Sequence, residues 1–189
     1  MDTFHERFSN LLDKQYFNFA AAHFLIFADG TREPLHGHNY RAELEIEGED
    51  LDRAGLVADF IQVKPLFKRA CDALDHKVLL PTHCAALRVA REGGSVTARW
   101  RDERFSFPEA DVVLLELENT SSELLARHLC DETLTLLQQA LPRLQLRRIA
   151  VSLSESPGQS ARCERVRLSE SDRPHLSTLA VPFTPRTFS

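Results

Sequence analysis

Three histidines have the residue type and the spacing of a metal site. His36 and His38 are separated by one residue, and His23 lies in the apolar segment that precedes them. Residues i and i+2 of a strand project from one face, so an imidazole from a neighbouring strand can complete the set. Three neutral histidines with an open fourth position are typical of catalytic zinc. Any one of them alone is more simply interpreted as a core or surface histidine. The pair of His36 and His38, together with His23 on the preceding strand, favours a metal site.

A carboxylate and an imidazole also occur side by side, as Asp75 and His76. A carboxylate can orient the imidazole and raise its basicity, which suits proton transfer near neutral pH. The competing interpretation is a histidine that complements the dipole at the C-terminal end of a helix. Local sequence by itself favours this second interpretation.

Glu155 stands at an unusual position for a charged residue. It shares strand parity with Val151 and Leu153, so its carboxylate is predicted to point toward the apolar side of the sheet. A carboxylate there needs a partner. A ligand rich in N–H groups would supply one, and so would a buried ion pair with one of the arginines.

Two predicted strands carry the histidines. Residues 15–27 are rich in aromatic and apolar side chains and predict the first strand. From residue 36 to residue 47 apolar and polar residues alternate strictly, and the two histidines share the apolar parity. The turn-rich stretch DGTREP between them predicts an antiparallel pair.

Helical spacing occurs at three places. Residues 4–12 predict a short amphipathic helix at the N-terminus. A second helix follows Asp59 and is predicted to have Pro65 in its first turn. Thr120 and Glu123 have the spacing of a capping box, which predicts the start of a third helix that ends before a proline.

The remaining segments complete an α+β domain. Residues 147–155 and the stretch ARCERVRLSE predict two more strands of the main sheet. Residues 83–118 predict a small inserted set of short strands. We expect one domain over residues 1–170, followed by a proline-containing extension at 171–189.

Composition narrows the classes of function. The chain has 189 residues, 43% of them hydrophobic and 27% charged, and a formal net charge of -5. No basic run predicts nucleic-acid binding, and no stretch approaches the roughly 18 apolar residues of a membrane span. The N-terminus does not resemble a signal peptide, so we expect a cytoplasmic protein. The four cysteines, which lack paired spacing, are predicted to be reduced core residues: Cys71, Cys84, Cys130 and Cys163.

Six short motifs follow one another between residues 16 and 170. They are FAAAHF, LHGHNY, GLVADF, LDHKVLL, NTSSELLA and VSLSES. In this order the chain resembles the 6-pyruvoyltetrahydropterin synthase / 6-carboxytetrahydropterin synthase family. Residues 83–118 look like additional material, because family members usually have a shorter connection at this point.

The resemblance implies a fold, an assembly and a substrate. The fold is the tunnelling fold, an antiparallel four-stranded sheet with two helices on one face. Subunits of such a homo-oligomer form trimers and usually hexamers, with active sites between them. The substrate is 7,8-dihydroneopterin triphosphate, and Zn²⁺ is held by His23, His36 and His38.

The resemblance also implies individual roles. Asp75 and His76 match a proton-relay pair, and Glu155 matches the carboxylate that binds the 2-amino and N3 hydrogens of the pterin. Two hydroxyl positions that help to hold the ring are matched by Ser121 and Ser122, and Glu123 matches an acid just beyond them.

One position departs from the family pattern. Enzymes of the 6-pyruvoyl and 6-carboxy branches have a cysteine base four residues before the first histidine of the HGH motif, where this chain has Arg32. Glu33 instead resembles a branch in which glutamate replaces cysteine and the product is 6-hydroxymethyl-7,8-dihydropterin. A solvated loop glutamate is the competing interpretation. A 6-carboxytetrahydropterin or 6-pyruvoyltetrahydropterin synthase, a non-catalytic pterin-binding protein and a zinc hydrolase of another heterocycle stay open as alternatives.

Overall fold

The computed structural model describes residues 6–168, which form an α+β fold. The strands are β1 (Ser9–Leu12), β2 (Asn18–His23), β3 (His36–Gly48), β4 (Lys77–Pro81), β5 (Arg88–Glu92), β6 (Ser95–Trp100), β7 (Glu103–Pro108), β8 (Val112–Leu115), β9 (Leu146–Ser156) and β10 (Gln159–Val166). The α-helices are α1 (Phe60–Asp72) and α2 (Ser122–Ala140). Neither described helix is long and apolar enough to cross a membrane. The predicted extension at 171–189 lies outside the described residues.

The main sheet contains the expected four antiparallel strands and extends beyond them. Its order is β10-β9-β3-β2-β4-β8, and β1 pairs with β3 at one end. Strands β4 and β8 run parallel to their neighbours. Parallel neighbours require a crossover connection, and the inserted strands β5 to β7 lie within the connection from β4 to β8. The sheet is therefore mixed and wider than the four strands predicted from the sequence.

The alternation in β3 builds the central core. Tyr40, Ala42, Leu44 and Ile46 are fully buried. Their face of the sheet joins one continuous hydrophobic cluster with α1 and α2, which includes Phe67 of α1. The period-two pattern thus places the whole apolar parity of β3 on the helix side.

Helix α1 follows Asp59 as predicted, but its Pro65 lies one turn later than expected, and helix α2 begins one residue later than predicted. Helix α1 starts at Phe60, where the side chain of Asp59 accepts a hydrogen bond from the amide of Ile61 at 2.8 Å, so Pro65 lies in the second turn. Helix α2 is capped by Ser121 and not by Thr120. The Thr120 hydroxyl instead donates to a backbone carbonyl, which makes it unavailable as a cap.

The predicted N-terminal helix is wrong over the residues that the structure describes. Ser9–Leu12 is a strand that pairs antiparallel with β3. Leu12 is buried while Leu11 is 61% exposed. Alternation of buried and exposed side chains is typical of a strand, and this strand pairs with an edge of β3. The predicted strand at 15–27 is also shorter, because Gln15–Phe17 forms a 3-10 turn and β2 ends at His23.

The inserted strands form a separate three-stranded sheet with its own small core. Strands β5, β6 and β7 pair antiparallel in sequence order. Val96 and Ala98 of β6 pack in a cluster with Phe24 and Leu80, which belong to the edge of the main domain. Of the insertion predicted at 83–118, only β5 to β7 form this separate sheet beside the end of β2, whereas Val112–Leu115 joins the main sheet as β8.

Candidate functional site

The structure brings the three predicted histidines together on the buried side of the sheet. His23 is the last residue of β2, and its cross-strand partner is His36, the first residue of β3. His38 follows two residues later on the same face. One ligand nitrogen from each of the three rings lies within 4.8 Å of the others. The histidine trio can therefore hold a single divalent ion.

Hydrogen bonds to the backbone orient two of these rings. Nδ1 of His23 lies 2.8 Å from the carbonyl oxygen of Thr120, and Nδ1 of His36 lies 2.9 Å from that of Pro34. A carbonyl oxygen only accepts, so each Nδ1 carries the proton and each Nε2 presents a lone pair. Metal-binding histidines characteristically have this kind of partner on the second nitrogen.

The protonation state of His23 also suits a metal. Burial lowers the pKa of His23, and the neighbouring imidazoles of His36 and His38 add to this effect. A neutral imidazole is the form that binds a metal. The donor set, the ring orientation and the charge state together fit zinc.

Tyr40 and Glu155 lie beside the histidine trio. The Tyr40 hydroxyl lies 3.2 Å from Nε2 of His23, and a carboxylate oxygen of Glu155 lies 4.0 Å from the same atom. Burial, with the nearby charge of Glu155, raises the pKa of Tyr40 above its ordinary range, so the phenol stays protonated. Sequence reasoning missed Tyr40, although its position two residues after His38 on the same parity could have indicated it.

The parity argument for Glu155 places the residue correctly on β9. Ile149, Val151 and Leu153 are buried, and the Glu155 side chain is 23% exposed at the end of their row. Within residues 6–168 no arginine forms an ion pair with Glu155; its nearest titratable partner there is the His23 imidazole, at 4.0 Å. The carboxylate is thus available to a ligand with hydrogen-bond donors.

Glu33 occupies the loop that leads into β3. Its amide donates to the carbonyl oxygen of Leu25 at 2.9 Å, which fixes the backbone. Its Oε2 lies 3.9 Å from Nδ1 of His36, is shielded from solvent and has no hydrogen-bond partner among the described residues. A buried carboxylate oxygen without a partner is rare in proteins, and a role toward a ligand or a proton is one explanation for it.

Asp75 and His76 form the predicted pair, which lies beside β2. Asp75 accepts from the amide of Ala20 at 2.8 Å, and its other oxygen lies 2.9 Å from Nδ1 of His76. The bond from Ala20, together with His76, holds the pKa of Asp75 below its ordinary value. Ala20 binds Asp75 through its backbone amide, which lies in the plane of the sheet, so this contact holds the pair beside β2.

The imidazole of His76 is 83% exposed. It borders an open groove whose lining also includes Ala20, Ala21, Ala22, Gly37, Asn39 and His38 of the trio. Asp75 and His76 follow the last residue of α1 by three and four residues, and Nδ1 of His76 contacts the carboxylate of Asp75. One copy of the chain forms the pair without placing it beside Glu33.

The predicted hydroxyl positions lie at the start of α2, next to the trio. Ser121 accepts from the amide of Leu124 at 3.4 Å, Ser122 is half-buried, and Glu123 is exposed. Thr120, which sequence reasoning did not connect with the site, links this helix to β2. Its hydroxyl donates to the carbonyl oxygen of Phe24 at 3.1 Å, and its own carbonyl binds His23.

Known proteins with a similar sequence and structure place this chain in a family. The sequence matches the model of 6-pyruvoyl tetrahydropterin synthase over residues 12–166. The chain belongs to this family. A Methanocaldococcus jannaschii protein, provisionally named 6-carboxy-5,6,7,8-tetrahydropterin synthase, is 31% identical over 143 residues, which make up 76% of this chain and 86% of the relative.

Solved structures of the family have the same fold. The 6-pyruvoyl tetrahydropterin synthase of Plasmodium vivax has a TM-score of 0.79 and 28% identity, and the match covers 86% of this chain and 100% of that one. For the Plasmodium falciparum enzyme the values are 0.74 and 30%, with the same coverage. The predicted α+β tunnelling fold is confirmed, with more strands than expected. Two further Plasmodium vivax structures are mutants in which a catalytic glutamate is replaced by alanine or by cysteine.

Proposed function

We propose that this chain is a zinc-dependent lyase that cleaves the side chain of 7,8-dihydroneopterin triphosphate and releases 6-hydroxymethyl-7,8-dihydropterin. The observation that carries the proposal is the position of Glu33. One oxygen of its carboxylate is buried and unpartnered among the described residues, 3.9 Å from a ring of the histidine trio. A base needs a free lone pair within reach of the bound substrate, and this oxygen has one.

The cleavage proposed for this site is a retro-aldol reaction. Glu33 takes the proton of the C2′ hydroxyl, and the C1′–C2′ bond breaks as that oxygen becomes the carbonyl of a two-carbon aldehyde carrying the triphosphate. The electron pair passes to C1′, which takes up a proton and becomes the hydroxymethyl group. When held by His23, His36 and His38, zinc would polarise the oxygens of the side chain.

Two features support a role for Glu33 in place of a cysteine. The described cysteines lie outside the site: Cys71 and Cys130 are buried in the main core, and burial raises the pKa of each thiol to about 12. A neutral thiol is a poor base at neutral pH. The structural neighbour from Plasmodium vivax has a catalytic glutamate, which is consistent with the same chemistry here.

Glu155 is proposed to bind the pterin ring. Its carboxylate lies at the same end of the apolar face as the trio and can accept two N–H groups side by side. Ser121, Ser122 and Glu123 at the start of α2 are proposed to contact the ring from the helix side. The Ser121 hydroxyl would do so while it caps the helix, because an oxygen has more than one lone pair.

The proton relay is proposed to come from a second copy of the chain. Asp75 is held beside β2 by the backbone amide of Ala20, and the imidazole of His76 is open to solvent in one copy. In a trimer or hexamer this exposed pair would complete the site of a neighbouring subunit. The partners of the protein are therefore a pterin and further copies of itself.

The names of two relatives support a different product as the alternative. The Methanocaldococcus jannaschii relative and a Haemophilus influenzae protein, 40% identical over 65 residues, both have the name 6-carboxy-5,6,7,8-tetrahydropterin synthase. The Haemophilus influenzae match covers 32% of this chain and 45% of the relative. A 6-carboxytetrahydropterin synthase, or a 6-pyruvoyltetrahydropterin synthase, would need the same metal and the same anchoring carboxylate.

Product analysis separates these functions. Purified protein is incubated with 7,8-dihydroneopterin triphosphate, and the pterin is identified by mass spectrometry. We expect 6-hydroxymethyl-7,8-dihydropterin from the native chain, and at least about 100-fold slower release from Glu33→Gln. The matched control is Glu43→Gln, a partly exposed glutamate on the opposite parity of β3. A 6-carboxy or 6-pyruvoyl product would refute the lyase assignment, and binding without turnover would identify a non-catalytic pterin-binding protein.

A further inference from the structure

The insertion touches the loop that carries Glu33. This Glu33 loop, residues 24–35, turns back on itself through a bridge between Ile26 and Arg32. The guanidinium of Arg101, in the turn between β6 and β7, donates to the carbonyl oxygen of Gly30 at 2.9 Å. Arg32 donates to the carboxylate of Glu103, the first residue of β7, through two nitrogens at 3.1 and 2.5 Å. Two separate polar contacts thus join the insertion to the loop.

Arg32 is enclosed at the centre of this contact. Its guanidinium lies over the rings of Phe24, Trp100 and Phe105, at 5.4, 5.5 and 5.0 Å from their centroids. Its side chain is only 14% exposed. A cation withdrawn from water needs a partner, so the ion pair with Glu103 fixes the direction of the side chain.

The same guanidinium also holds the backbone of the proposed base. A third nitrogen of Arg32 donates to the carbonyl oxygen of Glu33 at 2.6 Å. The residue whose carboxylate faces the histidine trio is therefore linked, through one side chain, to an acid at the tip of the insertion.

We propose that the insertion β5–β7 positions the proposed base, and that Arg32 and Glu103 are the positioning residues that connect the two. The proposal rests on the function proposed above, in which Glu33 removes a proton from the substrate. A base must be held within a fraction of an ångström of its working position, and a displacement of about 1 Å can cost about 100-fold in rate.

A purely structural role for the insertion makes a different prediction. Its small core covers Leu80 and Phe24, so loss of that packing would lower the free energy of unfolding of the whole chain. Glu103 takes no part in that core and its side chain is about half exposed, and a glutamine at this position can still accept a hydrogen bond from Arg32, so Glu103→Gln should leave that packing intact. Glu103→Gln consequently tests positioning alone.

The experiment compares Glu103→Gln with the matched control Glu92→Gln. Glu92 pairs with Arg104 at 3.0 Å entirely within the insertion. We expect Glu103→Gln to lower kcat about tenfold, with KM and zinc content within about twofold of wild type. We expect amide hydrogen exchange within residues 24–35 to become at least about fivefold faster, while α2 is unchanged. The control should alter none of these.

A double-mutant cycle shows whether Glu103 acts through the base. In the Glu33→Ala background, Glu103→Gln should change the residual rate by less than about twofold, because a positioning residue has nothing left to position. The proposal is overturned if loop exchange in Glu103→Gln equals that of the control, if kcat is unchanged, or if the two losses multiply.

The failure of the proposed function would look different. If Glu33→Ala turns over at the wild-type rate, Glu33 is not the base, and that result does not involve Glu103 at all. Loop exchange then still decides whether the insertion holds residues 24–35. Arg101→Gln gives a second variant at the other contact and should also accelerate exchange at Gly30, in contrast to the control.

Discussion

His23 and His36 are direct cross-strand partners, at the last residue of β2 and the first residue of β3. Their ring centroids are 4.7 Å apart. The antiparallel register therefore places two of the three candidate ligands, and the two-residue period of β3 adds His38. Backbone pairing between the two strands is therefore sufficient to bring the ligands of such a metal site together.

Loss of one histidine of the trio should release the metal. Removing a hydrogen-bond partner of a ligand commonly costs 10–100-fold in affinity, so removing a ligand through His36→Ala or His38→Ala should weaken zinc binding by at least about 100-fold. Zinc content per chain after dialysis, measured by mass spectrometry, checks this. His83→Ala is the control, because His83 is an exposed histidine outside the trio. Unchanged zinc in the two trio variants would refute the ligand assignment.

Asp75→Asn should separate metal binding from turnover. The bond from the amide of Ala20 and the pair with His76 keep the pKa of Asp75 low, so the carboxylate is charged at neutral pH and orients the imidazole. The amide would lose that charge, and we expect kcat to fall by about 100-fold or more with zinc content unchanged. Asp72→Asn, which loses an exposed ion pair with Lys68 on α1, serves as the control. Wild-type turnover in Asp75→Asn would remove the relay from the mechanism.

Two inactive variants should restore activity when their chains are mixed. If Glu33 and Asp75 of one site come from different copies, hybrid oligomers of Glu33→Ala and Asp75→Asn contain some sites with both native residues. Random mixing of equal amounts predicts about a quarter of the wild-type turnover. The measurement requires refolding the two variants together, with each refolded alone for comparison. No recovery in confirmed hybrid oligomers would show that each site is served by a single chain.

The ion pairs on the polar face of the sheet predict a pH dependence of stability. Hydrogen bonds from Arg148 and Arg162 lower the pKa of Glu45 to about 2. The ordinary pKa of this carboxyl group, 4.5, applies in the unfolded chain, so the charged form of Glu45 stabilises the fold at pH values above 4.5. This stabilisation is lost as the pH falls from 4.5 toward 2.

Glu45→Gln should accordingly lower the free energy of unfolding by about 1–2 kcal/mol at pH 7, and this difference should shrink as the pH approaches 2. Urea unfolding at pH 7 and at pH 3 gives both values. Glu43→Gln is the matched control, because its nearest ion pair is a 3.8 Å contact with Arg41 and should contribute less than about 0.5 kcal/mol. An equal deficit for Glu45→Gln at both pH values would contradict the assignment.

Local patterns in the sequence predicted the elements that carry the site. Strict alternation in β3 gave the correct buried parity for Tyr40, Ala42, Leu44 and Ile46, and the same rule placed Glu155 on the apolar side of β9. These predictions succeed because side-chain direction in a strand repeats every two residues and depends on nothing distant. The exact helix starts were less well predicted, since Thr120 was drawn to the carbonyl oxygen of Phe24, almost a hundred residues away.

The sequence by itself determined which residues carry the candidate chemistry: the histidine trio, Glu33, Glu155 and the pair of Asp75 with His76. Tertiary structure alone decided how they are distributed. It held the pair beside β2, joined β4 and β8 in parallel to the edge of the sheet, and enclosed Arg32 between the main domain and the insertion. The reason is that strand pairing and contacts between distant segments depend on which surfaces meet when the chain closes, and no local period records that choice.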